Sequence, residues 1–276
     1  MKEINLEGVK NFWEKRPDQH KKTSLNALTL FVENKQYLEY INSTEMWHLK
    51  KIIRFNNKPR VLDLGCGVGR EDFEIADDCS EIIAFDYSKG FIELAKKRAK
   101  KKNITNIKFG VADITKLRPM GLFDIVIITG TFIYLRDNQM RSVIKLISKS
   151  LRPGGIVFSR EATASNAHFS RIDDYDEKFG CEYNAVYRTR HDYEMAFAEK
   201  KLKNTYWNYL FCPLNLGLAV YKICGDRSCA QVLVKACFEV QKGIDALFFN
   251  KKTMFKKYVK KKYKKIQIVY LYQHEL

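Results

Sequence analysis

Between residues 57 and 163 the chain alternates short, continuous apolar runs with longer segments whose apolar residues recur at helical spacing. The runs 60–64, 81–85, 107–111, 123–128 and 155–159 are rich in Ile, Val and Phe and predict strands. Segments 71–76, 89–101 and 139–151 predict helices, the last stopped by Pro153-Gly154-Gly155. Short apolar strands separated by helices imply a parallel sheet covered on both faces, so the expected class is α/β, doubly wound.

The flanking regions have different patterns. Residues 1–56 read as helical: apolar residues recur at Leu25, Leu28, Phe31 and Val32, then at Met46, Trp47, Leu49, Ile52 and Ile53, with Asn42, Ser43 and Thr44 offering N-caps for the second run. After Ala162 the order loosens. Residues 164–183 read as polar loop, 190–200 as helix, 202–210 as strand, 214–224 and 229–249 as apolar-faced helices, and 266–272 as a final strand. The expected organisation is a helical cap (1–56), an α/β core (57–163) and a third region (164–276) with a helical insertion at about 212–264 ahead of the last strand.

Composition narrows the classes. With 46% hydrophobic residues in a chain of 276, there is enough apolar material for a substantial core and too much for a disordered chain. The start, MKEINLEGVK, carries charges where a signal peptide has its apolar centre, so a cytoplasmic protein is expected. The longest apolar stretch, 209–221, is interrupted by Pro213 and Asn215, so no membrane span is expected. Seven cysteines without a C-x-x-C pair predict reduced, mostly buried thiols and no metal site. The net charge is +17, and roughly half of it comes from nine lysines in 251–265.

The densest chemical signal is Asp63-Leu64-Gly65-Cys66-Gly67-Val68-Gly69-Arg70, three glycines at alternate positions between a buried strand and a helix. Such glycines let the backbone turn sharply and approach a ligand closely. The dinucleotide pattern G-x-G-x-x-G sets its third glycine one position later, and the P-loop needs G-K-[ST]; neither fits. A polar group follows each apolar run: Asp63, Asp86, Asp113, Thr129 and Arg160-Glu161. In open parallel sheets ligands sit outside those carboxyl ends. Asp63 alone could cap a helix, and Asp86-Tyr87-Ser88 could be an N-cap for 89–101. Asp124 and Cys66 read as structural.

The glycine run resembles motif I of class I S-adenosylmethionine-dependent methyltransferases. Asp86 after 81–85, Ala112-Asp113-Ile114, 123–129, and Leu151-Arg152-Pro153-Gly154-Gly155 resemble the later motifs in family order, over about 100 residues. The resemblance implies a mostly parallel, seven-stranded Rossmann-like sheet and S-adenosyl-L-methionine as cofactor. It implies that Asp63, Gly65, Gly67 and Gly69 hold the amino acid portion, that Asp86 and Tyr87 lie at the ribose, Asp113 and Ile114 at the adenine, and Thr129 at the end of the fourth strand beside the site. Asn11 to Arg16 resembles an aromatic-Trp element that closes over the cofactor in some members, with Trp13 or Arg16 near the methionine carboxylate; a helix packing Phe12 and Trp13 on the core is the alternative.

Methyl transfer is an in-line displacement, helped by a base when the acceptor is an alcohol. Candidates are Glu161, His168, Asp173, Asp174 and His191; His168 is the first choice for the base, with Glu161 also assigned to the catalytic group. Arg160-Glu161 and the later Tyr187-Arg188-Thr189 with Asp192-Tyr193 resemble an arrangement in small-molecule and sugar methyltransferases. The absence of N-P-P-[YF] at Thr129-Gly130-Thr131-Phe132 argues against amino-methylating nucleic-acid enzymes. Phe255, Tyr258, Val259 and Ile266 share a face of the lysine run, which suits an anionic membrane surface, nucleic acid, or plain solvation. The expected activity is methyl transfer to a small molecule or a glycan or lipid-linked precursor by a cytoplasmic protein with possible peripheral membrane contact. The alternatives are a nucleic-acid methyltransferase and a non-catalytic scaffold.

Overall fold

The computed structural model describes residues 4–17, 35–55, 57–164, 167–177, 180–209 and 265–274. The elements in chain order are helices α1 (Leu6–Glu14) and α2 (Lys35–Phe55), strand β1 (Arg60–Leu64), α3 (Arg70–Ile75), β2 (Glu81–Asp86), α4 (Lys89–Lys101), β3 (Ile107–Val111), β4 (Phe123–Thr129), α5 (Asp137–Ser150) and β5 (Leu151–Ala164). There follow β6 (Phe169–Asp176), β7 (Cys181–Tyr187), α6 (Arg190–Ala198), β8 (Leu202–Tyr209) and β9 (Lys265–His274).

Seven strands form one sheet in the order β3-β2-β1-β4-β5-β9-β8. The first five are parallel, β9 runs antiparallel to β5, and β8 antiparallel to β9. The mostly parallel, doubly wound sheet expected from the sequence is therefore present. Its central strands β1 and β4 are buried on both sides, and side-chain alternation splits the core in two. Val61, Ile125 and Ile127 pack with Leu49, Ile53, Ile75 and Ile92 beneath α2, α3 and α4. Leu62, Val126 and Ile128 pack with Val143, Ile147 and Phe197 beneath α5 and α6. The chain proceeds outward from β1 to β3 and returns as β4 on the other side of β1. That order reversal opens a crevice at the carboxyl ends of β1 and β4, where ligands bind in this architecture.

Several expectations are corrected. Asn42, Ser43 and Thr44 cap nothing, because α2 runs unbroken through them; Asn42 instead accepts a bond from Arg70 Nη1 at 2.6 Å. Much of 164–183 is not loop: Phe169–Asp176 and residues from Cys181 onward form the β6–β7 hairpin, whose Tyr183, Ala185 and Tyr187 pack with Phe12 of α1. The fifth strand starts directly after α5 at Leu151, with its pairing jumping from Leu151 to Ile156, so residues 152–155 bulge out within it. The first apolar run of the cap (Leu25 to Val32), the helices at 214–224 and 229–249, and the lysine run up to residue 264 lie outside the described residues. Among the described residues no helix is long and apolar enough to cross a membrane.

Candidate cofactor and acceptor site

The glycine loop leaves β1 with Gly65, Gly67 and Gly69 at φ 87°, 55° and 75°, a backbone region that L side chains rarely adopt. The three glycines have different reasons. A Cβ on Gly65 would run into Thr131 beyond β4, and one on Gly69 would lie 2.8 Å from the Phe109 ring and 3.0 Å from Phe73. A Cβ on Gly67 would meet nothing within 4 Å. Gly65 and Gly69 thus serve the fold, while Gly67 presents bare backbone to open space.

The neighbouring strand holds this loop in place. Gly65 and Cys66 donate their N–H groups to the Phe85 carbonyl at 2.7 and 3.0 Å. Asp86, the last residue of β2, accepts from Gly67 N at 2.9 Å through Oδ2 and from Ser88 N at 2.8 Å through Oδ1. Burial pushes its carboxyl up to about 6, against the opposing pull of these backbone N–H groups. The Ser88 side chain caps α4, so the helix-start reading of this segment and its placement at the crevice both hold. Tyr87 turns its hydroxyl to the opposite task, donating to the Lys10 carbonyl at 2.9 Å and so tying α1 over the site.

The adenine-side candidates stand at the end of β3. Asp113 accepts from Thr115 N (3.0 Å) and Thr115 Oγ1 (2.7 Å), which fixes its own turn, and pairs with Lys116 at 3.5 Å. Ile114 is buried in the core on the α5 side of the sheet. Thr129 donates to Glu71 Oε1 at 2.8 Å, a packing role that the sequence did not suggest.

Beneath the loop lies a buried ionic network. Glu45 of α2 accepts from Arg160 Nε (3.0 Å) and Arg70 Nη2 (2.9 Å), and Arg70 also pairs closely with Glu71. Burial alone would raise the Glu45 carboxyl, but the charges of Arg160 and Arg70 hold it below its usual value. Asp63 and Asp72 are buried beside this network. Asp63 Oδ1 and both Asp72 oxygens have no hydrogen-bond donor among the described residues. Neither Glu45 nor Asp72 was singled out in the sequence. Glu45 had a legible signal, an acid on the helix face that also carries Leu38, Ile41, Leu49 and Ile52. Asp124, expected to be structural, accepts from Arg60 N at 2.7 Å at the far end of the sheet.

On the other side of the crevice, Glu161 is fully buried and accepts from Thr131 N (3.3 Å) and Phe132 N (3.4 Å) through Oε1. Its Oε2 has no donor among the described residues, and burial pushes the carboxyl up to about 8. α1 closes this side. Trp13 meets Tyr134 edge-on at 5.3 Å and Phe91 at 6.0 Å, while the buried Arg16 guanidinium lies 3.9 Å from the Phe12 ring centre. Tyr183 and Tyr187 join their hydroxyls at 2.9 Å. The helix-packing reading of Phe12 and Trp13 is therefore met, and the same helix forms the roof of the crevice.

The structure does not gather all the base candidates. His168 is exposed ahead of β6, Asp174 is exposed within it, Asp173 belongs to the same strand, and His191 is exposed in α6. Arg188 is spent on the Phe132 and Leu135 carbonyls (2.9 and 2.7 Å) and on Asp137 (2.8 Å). Thr189 and Asp192 form the capping box of α6. This second motif thus builds the support beneath residues 132–135.

A Rossmann-like sheet, a glycine loop at its switch point and a carboxylate ending β2 define a class I S-adenosylmethionine-dependent methyltransferase domain. Residues 55–211 match the family described as "Methyltransferase domain", and the chain belongs to it. Phosphoethanolamine N-methyltransferase 1 of Triticum aestivum is 26% identical over 201 residues, covering 70% of this chain and 38% of that protein. Malonyl-[acyl-carrier protein] O-methyltransferase of Bacillus anthracis is 31% identical over 104 residues, 37% of each chain. This chain therefore spans well under half the length of those relatives. Among solved structures, an S-adenosylmethionine-dependent methyltransferase from Mesorhizobium loti superposes with a TM-score of 0.56 at 15% identity, covering 84% of this chain and 98% of that one.

The residues fit the cofactor. Gly67 offers an open backbone cradle, Asp63 Oδ1 is a buried acceptor lacking a donor among the described residues, and Asp86 ends β2 beside the loop.

Proposed function

We propose that this chain transfers a methyl group from S-adenosyl-L-methionine to a small molecule bound under α1 and the β6–β7 hairpin. The open cradle at Gly67, set between Asp63 and Asp86, carries the reading. In this assignment Asp63 takes the cofactor's ammonium group and Asp86 its ribose hydroxyls. Gly65 and Gly69 hold the loop's shape, Tyr87 secures α1, Asp113 and Ile114 border the adenine, and Thr129 steadies Glu71. The cofactor supplies an electrophilic methyl group on a sulfonium. The protein's contribution is to hold the acceptor in line at ~3–3.5 Å and to keep water out.

Proton handling falls to Glu161 rather than His168 in this proposal. Glu161 is buried beside β4's end with an oxygen that has no donor among the described residues, whereas His168 faces solvent. The enclosing aromatic side chains Trp13, Tyr134 and Tyr183 favour a compact acceptor. Amines and acids of the size named for the relatives above, phosphoethanolamine first, are the compounds to try. A glycan or lipid-linked acceptor, or an anionic membrane surface, is supported only by the lysine run at 251–265, and a nucleic acid has no further support.

The test is incubation of the protein and its Asp86→Ala variant with methyl-labelled cofactor. The acceptors are phosphoethanolamine, other small amines and carboxylic acids, and separated lipid, saccharide and RNA fractions. Label entering a small molecule with the unaltered protein alone is the expected result. Label confined to RNA or lipid, or equal with both proteins, overturns the assignment.

A further inference from the structure

Asp72 stands in the first turn of α3, directly behind the glycine loop, and is completely buried. No described donor reaches either of its carboxyl oxygens, nor Asp63 Oδ1. Arg70, the nearest cation, is committed to Glu45, Asn42 and Glu71. The other charged or titratable groups around the pair give no relief. Glu71 of α3, Asp86 of β2 and Cys66 of the loop add negative or neutral groups. Glu45 of the adjoining α2 is held by Arg70 and Arg160, and His48 of that helix is kept neutral by burial, its value pushed down to about 4.

Two buried carboxylates without donors are mutually repulsive and unsolvated. One added proton changes this, because a carboxyl and a carboxylate then share an O–H···O bond. The Asp63 and Asp72 side chains are close enough to form it. Burial, reinforced by Asp72 for the one and by Glu71 for the other, pushes Asp63 well above the usual carboxylate range and Asp72 up to about 8.

We propose that Asp63 and Asp72 share a proton in the cofactor-free protein and release it when the cofactor's ammonium group docks on Asp63, which makes Asp72 a positioning residue for cofactor. The inference rests on the cofactor site proposed above. The step balances simply. The O–H bond of the pair breaks, its proton passes to the buffer, and the ammonium N–H groups donate to the oxygen so freed. Asp72 then keeps Asp63 oriented while ensuring that the empty pocket does not hold two bare charges.

The probe is S-adenosylhomocysteine, which carries the same ammonium group and does not react. Calorimetric titration at pH 7 in phosphate, HEPES and Tris, buffers of different ionisation enthalpy, counts protons released per ligand bound. The unaltered protein is expected to release between about half and one proton, and its Kd to fall several-fold from pH 7 to pH 8, above the range in which Asp86 titrates. Asp72→Asn keeps the shape and supplies an amide donor to Asp63. It is expected to bind with the proton count reduced to that of the ligand's own ammonium and with a flat Kd over the same range. Binding by the unaltered protein without proton release overturns the proposal, whatever the fate of the variant; so does an unchanged count in Asp72→Asn. Absence of any binding overturns the cofactor assignment itself and this inference with it.

Discussion

Gly67 donates its backbone N–H to Asp86 Oδ2 at 2.9 Å, so the glycine of the loop that faces open space is fixed by the carboxylate that ends the adjacent strand. Loop shape and, in the proposed assignment, ribose recognition are thereby placed on a single hydrogen bond. Asp86 divides its two oxygens between Gly67 and Ser88, which joins the glycine loop to the start of α4.

In the proposed site the three glycines separate fold from binding. Gly67→Ala places its Cβ in free space but retains φ 55°, so stability should fall by about 1–2 kcal/mol while cofactor binding is lost or reduced at least tenfold. Gly69→Ala drives the Phe109 and Phe73 rings apart and should lower stability further than Gly67→Ala. Chemical denaturation and calorimetry on both variants report the two effects separately.

Asp86→Asn leaves one acceptor oxygen for two backbone donors and removes the charge. Cofactor affinity should weaken about 10–100-fold, the equivalent of losing roughly 1.5–3 kcal/mol from a charged hydrogen bond. In the unaltered protein the ionised form binds. Affinity should therefore decline as pH falls through about 6, where burial has placed this group. A Kd series from pH 5 to pH 7 with both proteins checks the assignment.

Glu45→Ala strips Arg160 of its carboxylate partner in the interior and takes one of two from Arg70, which keeps Glu71. Breaking one partner of a buried pair costs ~3–5 kcal/mol, so this change from α2 should be among the most destabilising in the chain. Urea unfolding measures it. A loss below about 1 kcal/mol would show that the network is not closed in solution.

Glu161 makes stability depend on pH in an unusual direction. Its folded value, about 8, lies above the ordinary 4.5, so between these values the native state binds the proton that the unfolded chain releases. Stability should be greatest below about 4.5 as far as this group is concerned and should fall as pH rises towards 8, on the order of a few kcal/mol. Glu161→Gln removes the dependence. Melting curves of both proteins across that interval should converge at the acid end and separate at the alkaline end.

The parallel sheet was legible because its strands are short apolar runs set between helices, buried on both faces at the centre in β1 and β4: β1, β3 and α4 occupy the expected residues. The glycine loop was legible because glycine is the residue that adopts its three positive φ angles at least cost. The β6–β7 hairpin was obscured by its charged stretch Asp173 to Glu177, although Tyr183, Ala185 and Tyr187 carry a clear two-residue alternation in β7. The supposed capping residues of α2 failed because Asn42 faces Arg70, a partner 28 positions away that no local pattern reveals. Asp72 was missed for a related reason. An acid in the first turn of a helix is ordinarily explained by the helix itself, and only the folded structure shows this one buried without a donor among the described residues.

The most direct test of the central claim is a calorimetric titration of the folded protein with S-adenosylhomocysteine at two temperatures, accompanied by melting curves with and without it. The account predicts saturable binding at one site per chain, a raised melting temperature, and loss of both in Gly67→Ala. No heat at either temperature and an unmoved melting curve would contradict it.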